Sequence, residues 1–132
     1  MVGLTDALAA SAAGMKAQAR RLRHVSENIA NADTPGYRRK VVSFEAVMAE
    51  GAATTGLVSP GPVRLDARPL PQIFDPGHPL ANPEGYYQGS NVDLILEIAD
   101  AREAQRSYDA NLRLFDQARQ MVQSLFDLLR RQ

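Results

Sequence analysis

From Asn91 to Arg131, apolar side chains recur with a seven-residue period. Leu94, Ala101, Tyr108, Phe115, Val122 and Leu129 form one row; Ile98, Leu112 and Phe126 fall in a second. Gln105 and Arg119 interrupt the second row. Ala118 and Leu125 widen the stripe on its other side, as expected of a straight helix that drifts by roughly 20° per heptad. No Pro or Gly occurs after Gly89, so the pattern predicts one unbroken amphipathic helix. Ser90 and Asp93 stand at capping-box spacing ahead of it, and Arg130 and Arg131 suit the negative end of its dipole. About 37 helical residues span roughly 55 Å, whereas a compact globule of 132 residues is only about 36 Å across. Such a helix must project, and its apolar seam must be covered by the chain's own first helix, by a neighbouring copy, or by both.

The first thirty residues repeat the pattern more weakly. Leu8, Met15, Leu22 and Ile29 are seven apart, with Leu4 and Val25 in a companion row that Ser11 and Gln18 dilute, so a second heptad-like helix is expected over residues 4 to 31. Its many alanines permit close approach but bury little surface per residue, and Gly14 costs about 1 kcal/mol relative to Ala. Alone the helix is marginal. An antiparallel pairing with the C-terminal helix follows, because the intervening chain is long enough to return to its start.

Between the helices the chemistry changes twice. Asn31, Asp33, Thr34, Pro35, Gly36 and Tyr37 specify a sharp helix exit and a type II turn, since Pro fixes the first central position and Gly tolerates the positive φ of the second. Lys40 to Phe44 is β-favouring. Residues 51 to 89 contain six Gly and seven Pro. That excludes helix and leaves short β pieces at Val63 to Leu65 and Gln72 to Phe74, a small hairpin at most, with residues 50 to 62 the most mobile. The expected fold is mainly α: two long terminal helices in an antiparallel coiled-coil-like pair, with a small Gly/Pro-rich loop and β-hairpin insertion. The boundaries are 1–36 for the N-terminal helix and turn, 37–90 for the insertion, and 91–132 for the C-terminal helix.

Composition excludes more than it selects. The net charge is zero, which gives little counterion release on a nucleic acid, and there is no Cys for disulfides or thiolate metal sites. No apolar run is long enough to span a membrane. The small, apolar first fifteen residues lack a basic start and contain Asp6, so a cleaved leader is not expected. His24 lies in an Arg-rich helical turn and His78 in a Pro-rich loop, neither with a second ligand at metal spacing. No phosphate loop, nucleophile elbow or dinucleotide fingerprint is present. Asn28 and Asn31 are explained by capping and chain exit, and Tyr108 by the seam. Catalytic, cofactor and metal sites are therefore all expected to be none. Arg20, Arg21, Arg23, Arg38, Arg39 and Lys40 are a solvated face in a monomer. In an assembly, thirteen Arg among fifteen basic residues suit bidentate pairing with Glu97, Asp100, Glu103 and Asp109 of a neighbour.

The stretch Ser26-Glu27-Asn28-Ile29-Ala30-Asn31-Ala32-Asp33-Thr34-Pro35-Gly36-Tyr37-Arg38-Arg39 resembles the N-terminal signature of bacterial flagellar axial proteins, the rod and hook subunits. Three further stretches resemble the proximal-rod branch of that family: Phe74-Asp75-Pro76-Gly77-His78-Pro79-Leu80 with Glu84-Gly85-Tyr86, then Asn91-Val92-Asp93, and Arg106-Ser107-Tyr108-Asp109-Ala110-Asn111. The short insertion agrees with that branch. The resemblance implies a structural subunit of the basal-body rod that assembles helically around the export channel and transmits torque. It implies a periplasmic location reached through the flagellar type III export apparatus without a cleaved signal peptide. The implied partners are copies of the chain, other proximal-rod and distal-rod subunits, and the junction to the MS ring, with no nucleic acid and no membrane span. The expected assembly seam comprises Leu8, Met15, Leu22, Ile29, Leu94, Ile98, Tyr108, Leu112, Phe115 and Val122. The family-motif positions are Asn28, Asn31, Thr34, Pro35, Gly36, Tyr37, Asp75, Pro76, Gly77, Asn91 and Asp93. A cytosolic coiled-coil adaptor, or another rod or hook-basal-body subunit, is the alternative; a small enzyme is the weaker rival.

Overall fold

The computed structural model describes residues 2–48 and 54–132. Helix α1 (Val2–Ala30) leads through the Pro35-Gly36 turn into strand β1 (Lys40–Met48), which pairs antiparallel with β2 (Thr54–Leu65). A second, minimal antiparallel pair, β3 (Gln72–Phe74) and β4 (Tyr86–Gln88), precedes helix α2 (Leu94–Arg130). The two helices pack along each other and the β1–β2 hairpin lies against α1.

The helices run antiparallel in a fixed register, with Gly14 facing Asn111 and Asn28 facing Glu97. The buried side chains of the seam are small or polar: Ser11, Ala17, Val25 and Asn28 from α1, and Glu97, Ala104 and Ala118 from α2. A Cβ on Gly14 would stand 2.7 Å from the Asn111 side-chain oxygen, so this position admits Asn111 only because it has no side chain. Such a seam brings backbones close but buries little apolar area per residue. The chain consequently exposes 9180 Å², against about 6,800 Å² for a compact monomer of its mass.

Two sequence expectations need correction. The α2 N-cap is Asp93, whose side chain accepts from the Ile95 N–H, rather than Ser90; the Ser90 hydroxyl instead donates to the Ala32 carbonyl. The insertion holds more β structure than its Gly and Pro content implies. β2 runs through Pro60 and Pro62 because it has a strand on one side only, and the register shifts between Val42 and Phe44, where Gly61 and Pro62 of β2 oppose Ser43 alone of β1. Of the stretch 50–62, expected to be mobile, residues 54–62 are thus in a paired strand, and 50–53 lie outside the described residues.

The two sides of the broad α2 stripe are used differently. On α2 the row beside Ala101, Tyr108, Phe115 and Val122 that faces α1 is Glu97, Ala104, Asn111 and Ala118, one residue away from the row of Ile98 and Leu112. On α1 the diluted companion row, with Ser11 and Val25, is the one that buries. Leu8, Met15 and Leu22 are half-buried and Ile29 is exposed. Packing followed the shortest side chains, which allow the closest helix approach, rather than the most apolar ones.

Candidate assembly interface

The family-motif residues converge where α1 ends and α2 begins. Tyr37 N–H donates to the Thr34 carbonyl at 3.2 Å and Gly36 has φ +74°, which gives the expected type II turn. The Thr34 hydroxyl donates to Asn31 Oδ1 (3.1 Å), and the Asn31 amide donates back to the Glu27 carbonyl (2.9 Å), closing the last helical turn. Gly36 N–H reaches the Gln88 and Gly89 carbonyls at 3.1 and 3.3 Å, tying the turn to the approach of α2.

Behind this turn lies a buried polar cluster. Asn28 is 1% exposed. Its Oδ1 accepts from the Tyr37 hydroxyl (2.9 Å) and the Lys40 N–H (2.9 Å), while its Nδ2 donates to the Lys40 carbonyl (3.0 Å) and to Glu97 Oε2 (3.2 Å). All four of its hydrogen-bonding positions are used. Glu97 is fully buried and its other oxygen pairs with Arg39 Nε. Arg39 continues to Asp100 (2.6 Å), and its backbone N–H donates to Asn91 Oδ1 (2.7 Å). Asn91 Nδ2 in turn donates to the Asp66 and Arg68 carbonyls, each at 3.1 Å. One amide from each end of the chain therefore fixes β1, the start of α2 and the segment after β2 to one another.

The cluster shifts its own titrations. Burial raises the Tyr37 phenol above its usual value. The hydrogen bond between Lys40 and Glu27, 2.7 Å long, lowers the Glu27 carboxyl and raises the Lys40 ammonium. Asp66 is held below its usual range by its hydrogen bonds from Arg68. The remaining motif residues, Asp75, Pro76 and Gly77, open the β3–β4 connection, where Asp75 Oδ1 accepts from the Gly77 N–H (3.2 Å). His78 stacks on Tyr87 at 3.9 Å between ring centroids. His24 lies 3.8 Å from Glu27.

The carboxylates expected to meet a neighbour's arginines are largely engaged within the chain. Arg21 pairs with Asp100 (3.3 Å) and Glu103 (3.5 Å), and Arg39 with Glu97 and Asp100, because the antiparallel register brings the basic end of α1 beside the acidic start of α2. Asp109 stays on the exposed side of α2. The structural parts played by Glu97 and Asn91 were not foreseen. Glu97 carried a signal, a carboxylate in the row continued by Ala104, Asn111 and Ala118, whereas Asn91 acts through loop carbonyls that no periodicity marks.

What the helix pair leaves open is the row that the sequence made the second half of the seam. Ile98, Leu112 and Phe126 are exposed, together with Leu94 and Leu129 at the two ends of the first row and with Ile95 (79%), Leu114, Met121 and Leu128. Tyr108, Phe115 and Val122 lie between the covered and uncovered sides. No grouping of His, Asp and Glu able to hold a metal occurs among the described residues, and no helix there is long and apolar enough to cross a membrane.

Comparison with known proteins bears on what this surface is for. Residues 8–38 match the family model of flagella basal body rod proteins, and residues 84–128 match that of the flagellar basal body rod FlgEFG protein C-terminal region. The chain is 41% identical to the flagellar basal-body rod protein FlgC of Agrobacterium fabrum, over 96% of both chains. The chain belongs to the FlgC family of flagellar basal-body rod proteins. Its similarity to FlgC of Aquifex aeolicus is 32% identity over 96% of this chain and 98% of the relative, and to FlgC of Escherichia coli O157:H7 it is 35% over 82% and 84%. The two family-model matches fall on the two helices with their flanking turn and entry segment, and so bracket the β1–β2 hairpin.

Proposed function

We propose that the chain is a structural, non-enzymatic subunit of the proximal part of the flagellar rod. It packs helically with copies of itself and with other rod subunits around the export channel, and it carries torque through side-by-side helices. The observation that carries this reading is the open second row on α2: Ile98, Leu112 and Phe126, with Leu94 from the start of the first row, stand at seam spacing yet are exposed beside α1. A periodic apolar row left in water is costly, and a second helix is the surface it fits. In this reading 1–36 and 91–132 form the inner helical unit and 37–90 decorates its outside. The polar cluster at Asn28, Arg39 and Glu97 keeps both helices in register under load. The other expected seam residues, Leu8, Met15, Leu22 and Ile29 on α1 with Tyr108, Phe115 and Val122 on α2, border this row and contribute at its edges. Further proposed partners are the distal rod, the junction to the MS ring and the type III export apparatus. The proposed location is the periplasmic rod.

The test is a strain whose only copy carries Leu112→Asp. Leu112 is on the open row, so the folded pair should survive while packing against a neighbour fails. The expected result is a soluble variant that is absent from purified basal bodies, in non-motile cells. A motile strain refutes the reading. Wild-type protein found only in the cytoplasm would favour the adaptor alternative.

A further inference from the structure

The Asn28 amide does for β1 what a neighbouring strand would do. Its Oδ1 accepts from the Lys40 N–H and its Nδ2 donates to the Lys40 carbonyl, so both backbone groups of Lys40 point away from β2. The Arg39 carbonyl, which accepts from the Asp66 N–H at 2.7 Å, points the other way. Along an antiparallel strand this sense alternates with every residue, so the backbone groups of Val42 and Phe44 share the Lys40 side. In keeping with that, Phe44 stands opposite Pro60, which has no N–H to offer. Beyond Asn28 the edge is bare: the N–H and C=O of Val42 have no hydrogen-bond partner among the described residues.

A cleft of about 460 Å³ runs along this bare edge, walled by Arg21 and His24 of α1 and by Asp100 and Glu103 of α2. Its size is that of clefts that hold ligands, about 300–1,000 Å³. Two of its side chains are unfinished: Gln18 Oε1 and both ring nitrogens of His24 are buried without a hydrogen-bond partner, a state native interiors rarely leave. The cations of the cleft are committed, Arg21 to Asp100 and Glu103, Arg39 to Glu97 and Asp100, and Lys40 to Glu27. Glu103 is not. Its side chain is 67% exposed and stands 3.5 Å from Arg21, which leaves it able to take a second partner. The chain's own Arg-bearing extended stretches, 38–41 and 63–68, are already held in the β1–β2 pair and in the Asp66–Arg68 contact. We propose that an extended, basic segment of another protein adds to β1 as a strand, pairing with the Val42 backbone and setting a Lys or Arg against Glu103. This contact is separate from the open row on α2 and does not depend on the rod reading.

The probe is a fluorescein-labelled peptide of alternating Lys and Val, titrated with purified full-length protein and followed by fluorescence anisotropy. It should bind, and two controls should bind at least about tenfold more weakly. One is the peptide of alternating Glu and Val; the other is the Lys and Val peptide N-methylated at alternate amides, which keeps its charge but cannot pair along a strand. Val42→Pro removes the outward N–H where the pairing with β2 does not use it. It should weaken binding about tenfold while keeping the circular dichroism of wild type. Glu103→Lys should reverse the preference between the basic and acidic peptides. On addition of the basic peptide, the Val42 amide should gain protection from hydrogen exchange. The N-methylated control is read on the wild-type chain, so it decides the matter even if Val42→Pro fails to fold. Absence of binding by the basic peptide overturns the proposal, as does equal binding of its N-methylated form. Self-association of wild type that Val42→Pro abolishes would assign the edge to a second copy of this chain, and overturns it too.

Discussion

Asn28 and Glu97, sixty-nine residues apart in the chain, meet in a 3.2 Å hydrogen bond at the centre of the cluster that joins α1, β1 and α2. Glu97 has no exposed surface and Asn28 almost none, so neither can exchange its partner for water. Glu97→Ala removes one acceptor from the Arg39 guanidinium, which keeps Asp100, and one from the Asn28 amide, which keeps the Lys40 carbonyl, and should cost about 3 kcal/mol. Glu97→Gln keeps an acceptor and loses only the charge, for about 1–2 kcal/mol. Urea titration followed by helical circular dichroism measures both, and equal midpoints for the two variants would mean that the carboxylate is not holding the junction.

Gly14 offers a test of how closely the helices approach. Its missing side chain leaves the space that Asn111 fills, and Asn111 Nδ2 is held by the Ser107 carbonyl at 2.9 Å. Gly14→Ala gains about 1 kcal/mol of helix propensity and displaces Asn111, so the net change should be small. Gly14→Leu must separate the helices and should destabilise by about 1–3 kcal/mol. A Leu variant as stable as wild type would show that the pair is looser than its register implies.

The pH response has a definite sign on each side. Glu27 and Asp66 have lowered pKa values in the folded chain, so their stabilisation is complete above their ordinary values of 4.5 and 3.8 and is lost as pH falls through the folded values. Lys40 and Tyr37 are raised. Their contribution is complete below 10.5 and 10.0 and is lost as pH rises through the folded values, when Tyr37 can no longer donate to Asn28. Thermal melts should therefore form a plateau from about pH 5 to pH 9 with losses on both sides. Tyr37→Phe, which removes the phenol, should shrink the alkaline loss; an unchanged alkaline limb would assign it elsewhere.

The projecting turns of α2 lack cover in the isolated chain and should fray there, becoming helical on assembly. Hydrogen exchange should find the amides of 124–131 unprotected in dilute monomer and those of 100–115 protected. Uniform protection along α2 would exclude fraying.

Both helices, the Pro35-Gly36 turn and the antiparallel pairing were legible because each rests on local rules: heptad spacing, a φ-restricted proline followed by a glycine, and a return path of ordinary length. Which row of α2 faces α1 was not legible from apolar content. Leu112 and Ala104 both lie within one broad stripe, and hydrophobicity favours Leu112; close approach favours Ala104 because Ser11, Gly14 and Ala17 present so little bulk. The N-cap was displaced for a related reason, since Ser90 is drawn to the Ala32 carbonyl across fifty-eight residues, a demand no local spacing records. β2 was hidden by its prolines, which exclude a central strand and permit one paired on a single side. At the candidate site, the motif residues were visible as a block, but their convergence on Glu97 depends on tertiary register.

The saturated amide of Asn28 has a mechanical corollary. A slip of one residue between the helices would break the Asn28–Glu97 hydrogen bond and draw Glu97 away from Arg39, with no spare donor or acceptor on Asn28 to replace the loss, so the corner admits a single setting and works as a ruler's zero mark. Measured from it, the length by which α2 outreaches α1 is the same in every molecule. Identical spacers of that kind let a stack of subunits keep a constant rise without any template to count them.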